Sequence, residues 1–347
     1  MTVVTDTPNT PHLNGKPRII VTRRLLPPVE ARMAELFDAQ FNHSDTPMDR
    51  AALVAAMQAA DVLVPCVTDR IDEAMLAQAC DDPATRRLGL IASFGAGTDH
   101  IDLAAARARK IPVTNTPGVF TDDTADLTMA LILGACRQFY PAAKALRNQG
   151  WHGWAPTGFL GHRLGGKRLA IIGMGRIGQA VAHRARGFGL EVVYHNRHRL
   201  PAAHENMLSA RYEADLDKLI AEADILSLHC PSSPSVHHLL NAARLATMKP
   251  TAYVINTARG DLIDEDALLT ALETGQISGA GLDVYHNEPS VNPRFLALDN
   301  AVLLPHLGSA TFEGREAAGE RIIANIRFWA DGHRPPDQVL PELEARR

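Results

Sequence analysis

The chain has 347 residues, of which 46% are hydrophobic and 21% charged, with a formal net charge of −4. Such a length favours two domains over a single core, and the charge balance excludes both a basic nucleic-acid footprint and an acidic tail. Four scattered cysteines (Cys66, Cys80, Cys136, Cys230) form no C-x-x-C pair, which argues against a zinc site or any other metal and fits a reducing, cytoplasmic setting. Residues 1–17 are polar and proline-containing, without an apolar h-region, and read as a tail rather than a signal peptide. No apolar run approaches the roughly 20 residues of a membrane span, so no membrane partner is expected.

From Arg18 onward, strand and helix patterns alternate. Arg18–Thr22 reads as a strand, Val29–Ala39 and Met48–Ala60 as helices, Asp61–Cys66 as a strand and Asp72–Cys80 as a helix. Leu88–Phe94, a helix at Asp102–Lys110 and a short strand at Ile111–Thr114 close the series, and Asn115-Thr-Pro117-Gly118 is a turn at a boundary. This rhythm predicts a small parallel sheet covered on both faces. One long helix is expected from Asp122 to about Asn148. Its apolar residues Leu127, Met129, Leu131, Ile132 and Leu133 cover more than one stripe, so it should be buried on several sides. An irregular aromatic segment, Trp151-His-Gly-Trp154, follows.

Mid-chain, the apolar run Leu169–Ile172 leads into Gly173-Met174-Gly175-Arg176-Ile177-Gly178 and an alanine-rich helix. In this strand–glycine–helix setting, Gly173 allows the tight turn, Gly175 lets a pyrophosphate approach the backbone, and Gly178 permits close helix–strand packing. The six residues are the expected pyrophosphate site, because free N–H groups at the helix start face the phosphates. The rhythm then resumes with strand Glu191–His195, helix Leu216–Ala223 and strands Ile225–His229 and Ala252–Asn256. Helix Asp264–Glu273, strands Ile277–Tyr285 and Ala301–Leu304 and a final helix Thr311–Ala330 complete it.

An NAD site places an acidic residue about 20 residues beyond the fingerprint, on the ribose 2′-hydroxyl. Here that slot reads His195-Asn196-Arg197-His198-Arg199, with no carboxylate. A guanidinium binds a 2′-phosphate that a carboxylate would repel. NADP(H) is therefore the expected cofactor, contacted by Asn196, Arg197 and His198, with weaker use of NAD(H). Three polar residues stand at strand ends in this half: Arg259, Glu288 and His306. Strand carboxyl ends are where open parallel sheets bind ligands. The pair His237-His238 lacks a spaced carboxylate or cysteine and reads as a solvated turn.

With these motifs assembled, the chain resembles the D-isomer-specific 2-hydroxyacid dehydrogenase family, and its glyoxylate/hydroxypyruvate reductase branch most closely, from about Arg18 to Gly332. The resemblance rests on Gly95-Ala-Gly97-Thr-Asp99-His-Ile-Asp102, Asn115-Thr-Pro-Gly-Val119, Thr124-Ala-Asp126, the glycine fingerprint and Asn256-Thr-Ala-Arg259-Gly-Asp-Leu-Ile-Asp264-Glu265. It continues through Gly281-Leu-Asp283-Val, Asn287-Glu-Pro289 and Pro305-His-Leu-Gly-Ser-Ala310. The implied fold class is α/β with two doubly wound parallel-sheet domains, a Rossmann cofactor domain and a smaller flavodoxin-like substrate domain, with a cleft between them. The substrate domain is expected to be discontinuous (18–117 and 312–335) around a dinucleotide domain at 118–311, with tails at 1–17 and 336–347.

The resemblance implies reduction of a small 2-oxo acid such as glyoxylate or hydroxypyruvate to the D-2-hydroxy acid. Arg259 would bind the carboxylate and polarise the carbonyl. His306 would be the general acid, and Glu288 would pair with its imidazole and keep the donor charged near neutral pH. Backbone N–H groups at Ala96 and Gly97 would hold the substrate carboxylate, with Cys66 a small apolar neighbour and not a nucleophile. Thr257, Ala258 and Asp283 would line the nicotinamide side and His229, Cys230 and Pro231 the adenosine side, with Gly308 a further cofactor contact. A homodimer is implied, with the long helix and the Trp151–Trp154 segment as contact surface. An NAD-dependent dehydrogenase of larger 2-oxo acids and a dinucleotide-sensing corepressor-like binding protein are the alternatives. A 3-phosphoglycerate, formate or phosphite dehydrogenase fits less well: the chain ends soon after its last helix, and residue 288 is glutamate rather than glutamine. Phe94–Thr98 also offers no lysine.

Overall fold

The computed structural model describes residues 15–82 and 86–339. The chain divides into two compact units: one takes in the described residues up to Val119 and from Thr311 onward, the other spans Phe120–Ala310.

The first unit is built on a five-stranded parallel sheet. Its strands are β1 (Arg18–Val21), β2 (Asp38–Phe41), β3 (Val62–Val64), β4 (Leu90–Ala92) and β5 (Val113–Thr114), ordered β2-β1-β3-β4-β5. Successive residues feed opposite faces. Ile20, Leu63 and Ile91 pack with Met57, Met75 and Leu76 on one side. Ile19, Val21, Val62, Val64 and Leu90 pack with Ile322, Ile326 and Trp329 on the other. Those last three residues belong to the helix Phe312–Ala330, so the C-terminal helix completes the core of the N-terminal sheet. Each such buried side chain contributes about 2 kcal/mol.

The second unit holds seven parallel strands: β6 (Arg168–Ile172), β7 (Glu191–His195), β8 (Ala210–Tyr212), β9 (Ile225–Leu228), β10 (Tyr253–Asn256), β11 (Gly279–Leu282) and β12 (Ala301–Leu303). Their order, β12-β11-β10-β9-β6-β7-β8, reverses direction at β6, the doubly wound arrangement of dinucleotide-binding sheets. Both faces are buried, as a parallel sheet requires. Val254 and Leu226 lie in one core, and Tyr253, Ile255 and Ile225 in the other.

Several expectations need correction. The helix expected to Ala39 spans Pro27–Leu36, and Ala39 lies in β2, an edge strand whose sequence, Asp-Ala-Gln-Phe, carries no apolar run. The long helix breaks into Thr121–Cys136 and Phe139–Arg147, with Gln138 in the left-handed region at φ 54°. Pro141 has no N–H to give the carbonyl of Arg137, so a continuous helix would lose that bond. The first helix is buried broadly, through Thr128, Met129, Leu131, Ile132 and Cys136, whereas the second buries nothing. Strand β8 and the short helices Ala202–Leu208, Ala242–Thr247 and Pro293–Leu296 were not expected. Among the described residues, no helix is long and apolar enough to cross a membrane.

The tails expected at 1–17 and 336–347 lie mainly outside the described residues. Within the second of these, however, 337–339 are held in place. Val339 N donates to Val113 O, and Gln338 bridges to Thr114. The buried Asp337 carboxylate accepts both arms of Arg321 at 2.8 and 2.7 Å and the amide of Asn325 at 3.0 Å. Removing it takes one of two acceptors from the amide of the fully buried Asn325, which keeps Arg321 O, and releases the Arg321 fork. Asp337→Ala should therefore lower the unfolding free energy by about 2 kcal/mol in a urea titration.

Candidate active site

The site begins at the carboxyl end of β6. Gly173 follows with φ +97°, and a Cβ there would lie 2.6 Å from both Cys230 N and the carbonyl carbon of His229. Only glycine lets this turn pass beside the end of β9. A Cβ at Gly178 would lie 2.2 Å from Gly173 O, so helix Arg176–Gly187 packs directly on the turn. Around Gly175, by contrast, space is open, with nothing within 4 Å of a Cβ position. The helix has no side-chain cap and no acid in its first turn. Its free N–H groups face that open space, which fits a dinucleotide pyrophosphate.

Asn196, Arg197 and His198 follow β7. The Asn196 side-chain amide donates to His198 O at 3.0 Å, and Arg197 and His198 are exposed. His229, Cys230 and Pro231 follow β9 and border Gly173. His229 Nε2 lies 2.8 Å from Ser227 Oγ, and burial pushes the imidazole down to about 4, so the ring is neutral at working pH. Burial pushes the Cys230 thiol up to about 11.

At the end of β10, the Thr257 hydroxyl pairs with Thr128 at 2.9 Å in the interior. The Asn256 side chain binds Ala258 N at 3.0 Å and Arg259 O at 2.8 Å, which fixes the backbone that carries Arg259. Arg259 Nη1 donates to Ala258 O at 2.7 Å. A Cβ at Gly260 would lie 2.0 Å from the carbonyl carbon of Tyr285, so this glycine lets the Arg259 loop press against the loop that leads to Glu288.

Beyond β11, Glu288 Oε1 accepts Tyr285 N at 2.9 Å, and Oε2 lies 2.7 Å from His306 Nδ1. Burial pushes the Glu288 carboxyl up. The His306 bond and charge, the Tyr285 amide and the charge of Arg259 outweigh burial and hold it below its ordinary value. The sheet thus brings Arg259, Glu288 and His306 together at neighbouring strand ends. With Nδ1 engaged, His306 has Nε2 left for other partners.

His306 itself has φ +55°, and three consecutive amides after β12 converge on one residue. His306 N donates to Asp283 O at 2.9 Å, Leu307 N to Oδ1 at 2.6 Å and Gly308 N to Oδ2 at 2.8 Å. Asp283, expected as a nicotinamide contact, is fully buried and holds this turn. Gly308 O accepts the Thr124 hydroxyl at 2.9 Å. Asn256, Gly260 and Thr124 stand in the motifs quoted above with no role assigned to them, and Thr128 stands in none. A polar Asn ending a buried apolar strand was the available signal for the first.

The remaining candidates lie in the first unit. Cys66 follows β3, and its N–H donates to the buried Asp69 carboxylate at 2.8 Å. Its thiol is pushed up to about 12 by burial, which makes it a poor nucleophile. Ala96 and Gly97 sit in the loop after β4, where Asn115 Nδ2 binds Ala96 O at 2.7 Å and Thr116 N binds Gly95 O at 2.9 Å.

Comparison with known proteins gives the family. A family model described as D-isomer specific 2-hydroxyacid dehydrogenase, NAD binding domain, matches residues 129–308. The glyoxylate reductase of Thermococcus litoralis is 41% identical over 333 residues, covering 94% of this chain and 98% of that protein. The solved glyoxylate reductase of Paecilomyes thermophila superposes with a TM-score of 0.82 at 32% identity, covering 94% of this chain and 99% of that one. An NADPH-dependent glyoxylate/hydroxypyruvate reductase from Sinorhizobium meliloti, solved with NADP and malonate, gives 0.80 at 31% identity, covering 94% and 97%. Fold and site together define a nicotinamide-dinucleotide dehydrogenase. The chain belongs to the D-isomer-specific 2-hydroxyacid dehydrogenase family.

The neutral His229 carries a pH consequence. Its folded value of about 4 lies below the ordinary 6.5, so the unfolded chain binds the extra proton between those limits. Its contribution to stability is complete above pH 6.5 and is lost as pH falls toward 4. Between pH 7 and pH 5, the parent should lose about 2 kcal/mol more unfolding free energy than His229→Gln. Chemical denaturation at the two pH values checks this.

Proposed function

We propose that the protein reduces a small 2-oxo acid, glyoxylate or hydroxypyruvate first among them, to the D-2-hydroxy acid with NADPH as preferred cofactor. The observation that carries this reading is the His306 Nδ1–Glu288 Oε2 pair beside Arg259. When bound, the dinucleotide supplies the hydride. The guanidinium of Arg259 binds the substrate carboxylate and polarises the adjacent carbonyl. As the carbonyl oxygen becomes an alkoxide, His306 gives it a proton from Nε2, because Nδ1 is engaged by Glu288. Glu288 keeps the ring oriented and balances the charge of the imidazolium.

The glycine turn, with Met174, Arg176 and Ile177, would hold the pyrophosphate. Thr257, Ala258 and Gly308 would lie on the nicotinamide side, and His229, Cys230 and Pro231 on the adenosine side. Ala96 and Gly97 would add backbone donors for the substrate carboxylate, with Cys66 beside them. Asn115 supports this by pinning their loop. NADPH preference is supported by the exposed Arg197 where an NAD site would carry an acid, and by the Sinorhizobium relative.

A homodimer is supported by exposed apolar side chains that are densest in one stretch, with single ones such as Phe188, Met207 and Phe312 elsewhere. Phe139, Leu146, Trp151, Trp154, Phe159 and Leu160 are all exposed, on a helix that buries nothing and the segment after it. Four free cysteines support a cytoplasmic setting.

His306→Ala should lower kcat about a thousandfold while fluorescence titration finds NADPH affinity within about twofold of the parent. Unchanged turnover would remove the residue from proton transfer. Arg197→Ala should raise KM for NADPH about tenfold or more and KM for NADH by less than about twofold. Equal effects on both cofactors would exclude it from the phosphate site.

A further inference from the structure

The loop after β7 carries two arginines two residues apart, and their surroundings differ. Arg199 is spent: its Nε donates to Glu205 Oε1 at 2.9 Å and its Nη2 to Oε2 at 2.8 Å, a fork-to-fork pair. The same carboxylate accepts the hydroxyl of the fully buried Tyr194 at 2.7 Å. That hydroxyl in turn accepts Leu200 N at 2.8 Å. Glu205 is itself only 7% exposed, on the short helix Ala202–Leu208, whose end is tied back by Arg186 Nη1 donating to Met207 O at 2.7 Å. The other end of the loop is held as well, since the Tyr212 hydroxyl donates to Asn196 O at 3.2 Å. Arg199 also lies over the Tyr212 ring, 5.8 Å from its centroid. Between these anchors, Arg197 is exposed and makes no hydrogen bond or ion pair among the described residues.

We propose that Glu205 is a positioning residue for cofactor choice: by occupying the Arg199 fork and the Tyr194 hydroxyl it fixes the 196–200 loop, so that Arg197 alone receives the ribose 2′-phosphate. The inference rests on the NADPH reading above. Its physical basis is twofold. A loop with two free guanidiniums would repel itself and would have to be ordered as the phosphate arrives, at a cost in affinity. With Arg199 neutralised and anchored, ordering precedes binding, and one unpaired guanidinium faces the ligand. The 2′-hydroxyl of NAD gains nothing from this, so the strap acts on the ratio of affinities and not on dinucleotide binding in general.

The test measures NADP⁺ and NAD⁺ affinity by calorimetry for the parent, Glu205→Gln, Arg199→Gln and the double variant. Arg199 is largely exposed, so Arg199→Gln reports even where Glu205→Gln folds poorly. Each single change is expected to lower the NADP⁺/NAD⁺ affinity ratio about tenfold, with NAD⁺ affinity within about twofold and kcat on saturating NADH unchanged. The double variant should be no worse than either single one, because both remove one strap. A loss in Arg199→Gln that Glu205→Gln does not share would make Arg199 a phosphate ligand and overturn the proposal. An unmoved ratio in both would also overturn it. Arg197→Ala separates the two levels. If it collapses the ratio while the strap variants do not, only this inference falls; if it too leaves the ratio unmoved, the NADPH reading falls with it.

Discussion

The site depends on a single residue, Asp283, gathering three amides. His306 holds a left-handed backbone, which costs a non-glycine residue about 1 kcal/mol. Asp283 offsets that cost by accepting the N–H of residues 306, 307 and 308 through its carbonyl and both carboxylate oxygens. Asp283 N in turn donates to Asn256 O at 2.9 Å, so the turn that carries the imidazole is referenced to β10, where Arg259 begins. Thr124 fastens the far side through Gly308 O, and Thr128 links that same helix to Thr257. The imidazole of His306 and the backbone of Arg259 are therefore placed by one connected set of bonds, and neither relies on its own loop.

Glycines set the other distances. The nearest contacts at Gly173, Gly178 and Gly260 are to backbone atoms, 2.6, 2.2 and 2.0 Å from an added Cβ, and backbone cannot swing aside as a side-chain end can. These positions bring three βα junctions closer than any side chain permits, while Gly175 keeps its space open for a ligand. Two glycines in one turn thus serve opposite ends: close packing at Gly173 and access at Gly175.

The sequence made legible whatever is local and strongly patterned. The apolar runs of β6, β9 and β10 and the glycine turn between strand and helix lead directly to the parallel sheet and its carboxyl edge. Arg259, Glu288 and His306 are readable because each follows such a run. What escaped lacks a local signature. Strand β2 alternates half-buried and exposed residues without an apolar run, and β8 is three residues long. The break at Gln138 depends on a proline three residues onward. Asp283 reads as a ligand contact from its motif, but its engagement with the amides of 306–308 arises only when β11 and β12 lie side by side. The Glu205 strap joins residues six and eleven apart across a turn and a helix that no periodicity announces.

The charges at this edge explain why a chain of net charge −4 can handle anionic ligands. Three acids at this edge are occupied: Glu288 by His306 and an amide, Asp283 by two amides, Glu205 by Arg199 and a tyrosine hydroxyl. An occupied carboxylate in a low-dielectric wall repels an incoming anion far less than a free one, because its field is already closed by its donors. Outward-facing groups after β6 and β7 include Arg176, the uncapped helix start and Arg197, to which the proposed function assigns a pyrophosphate and a 2′-phosphate. On that proposal, anion binding here rests less on an excess of cations than on the prior neutralisation of these three acids.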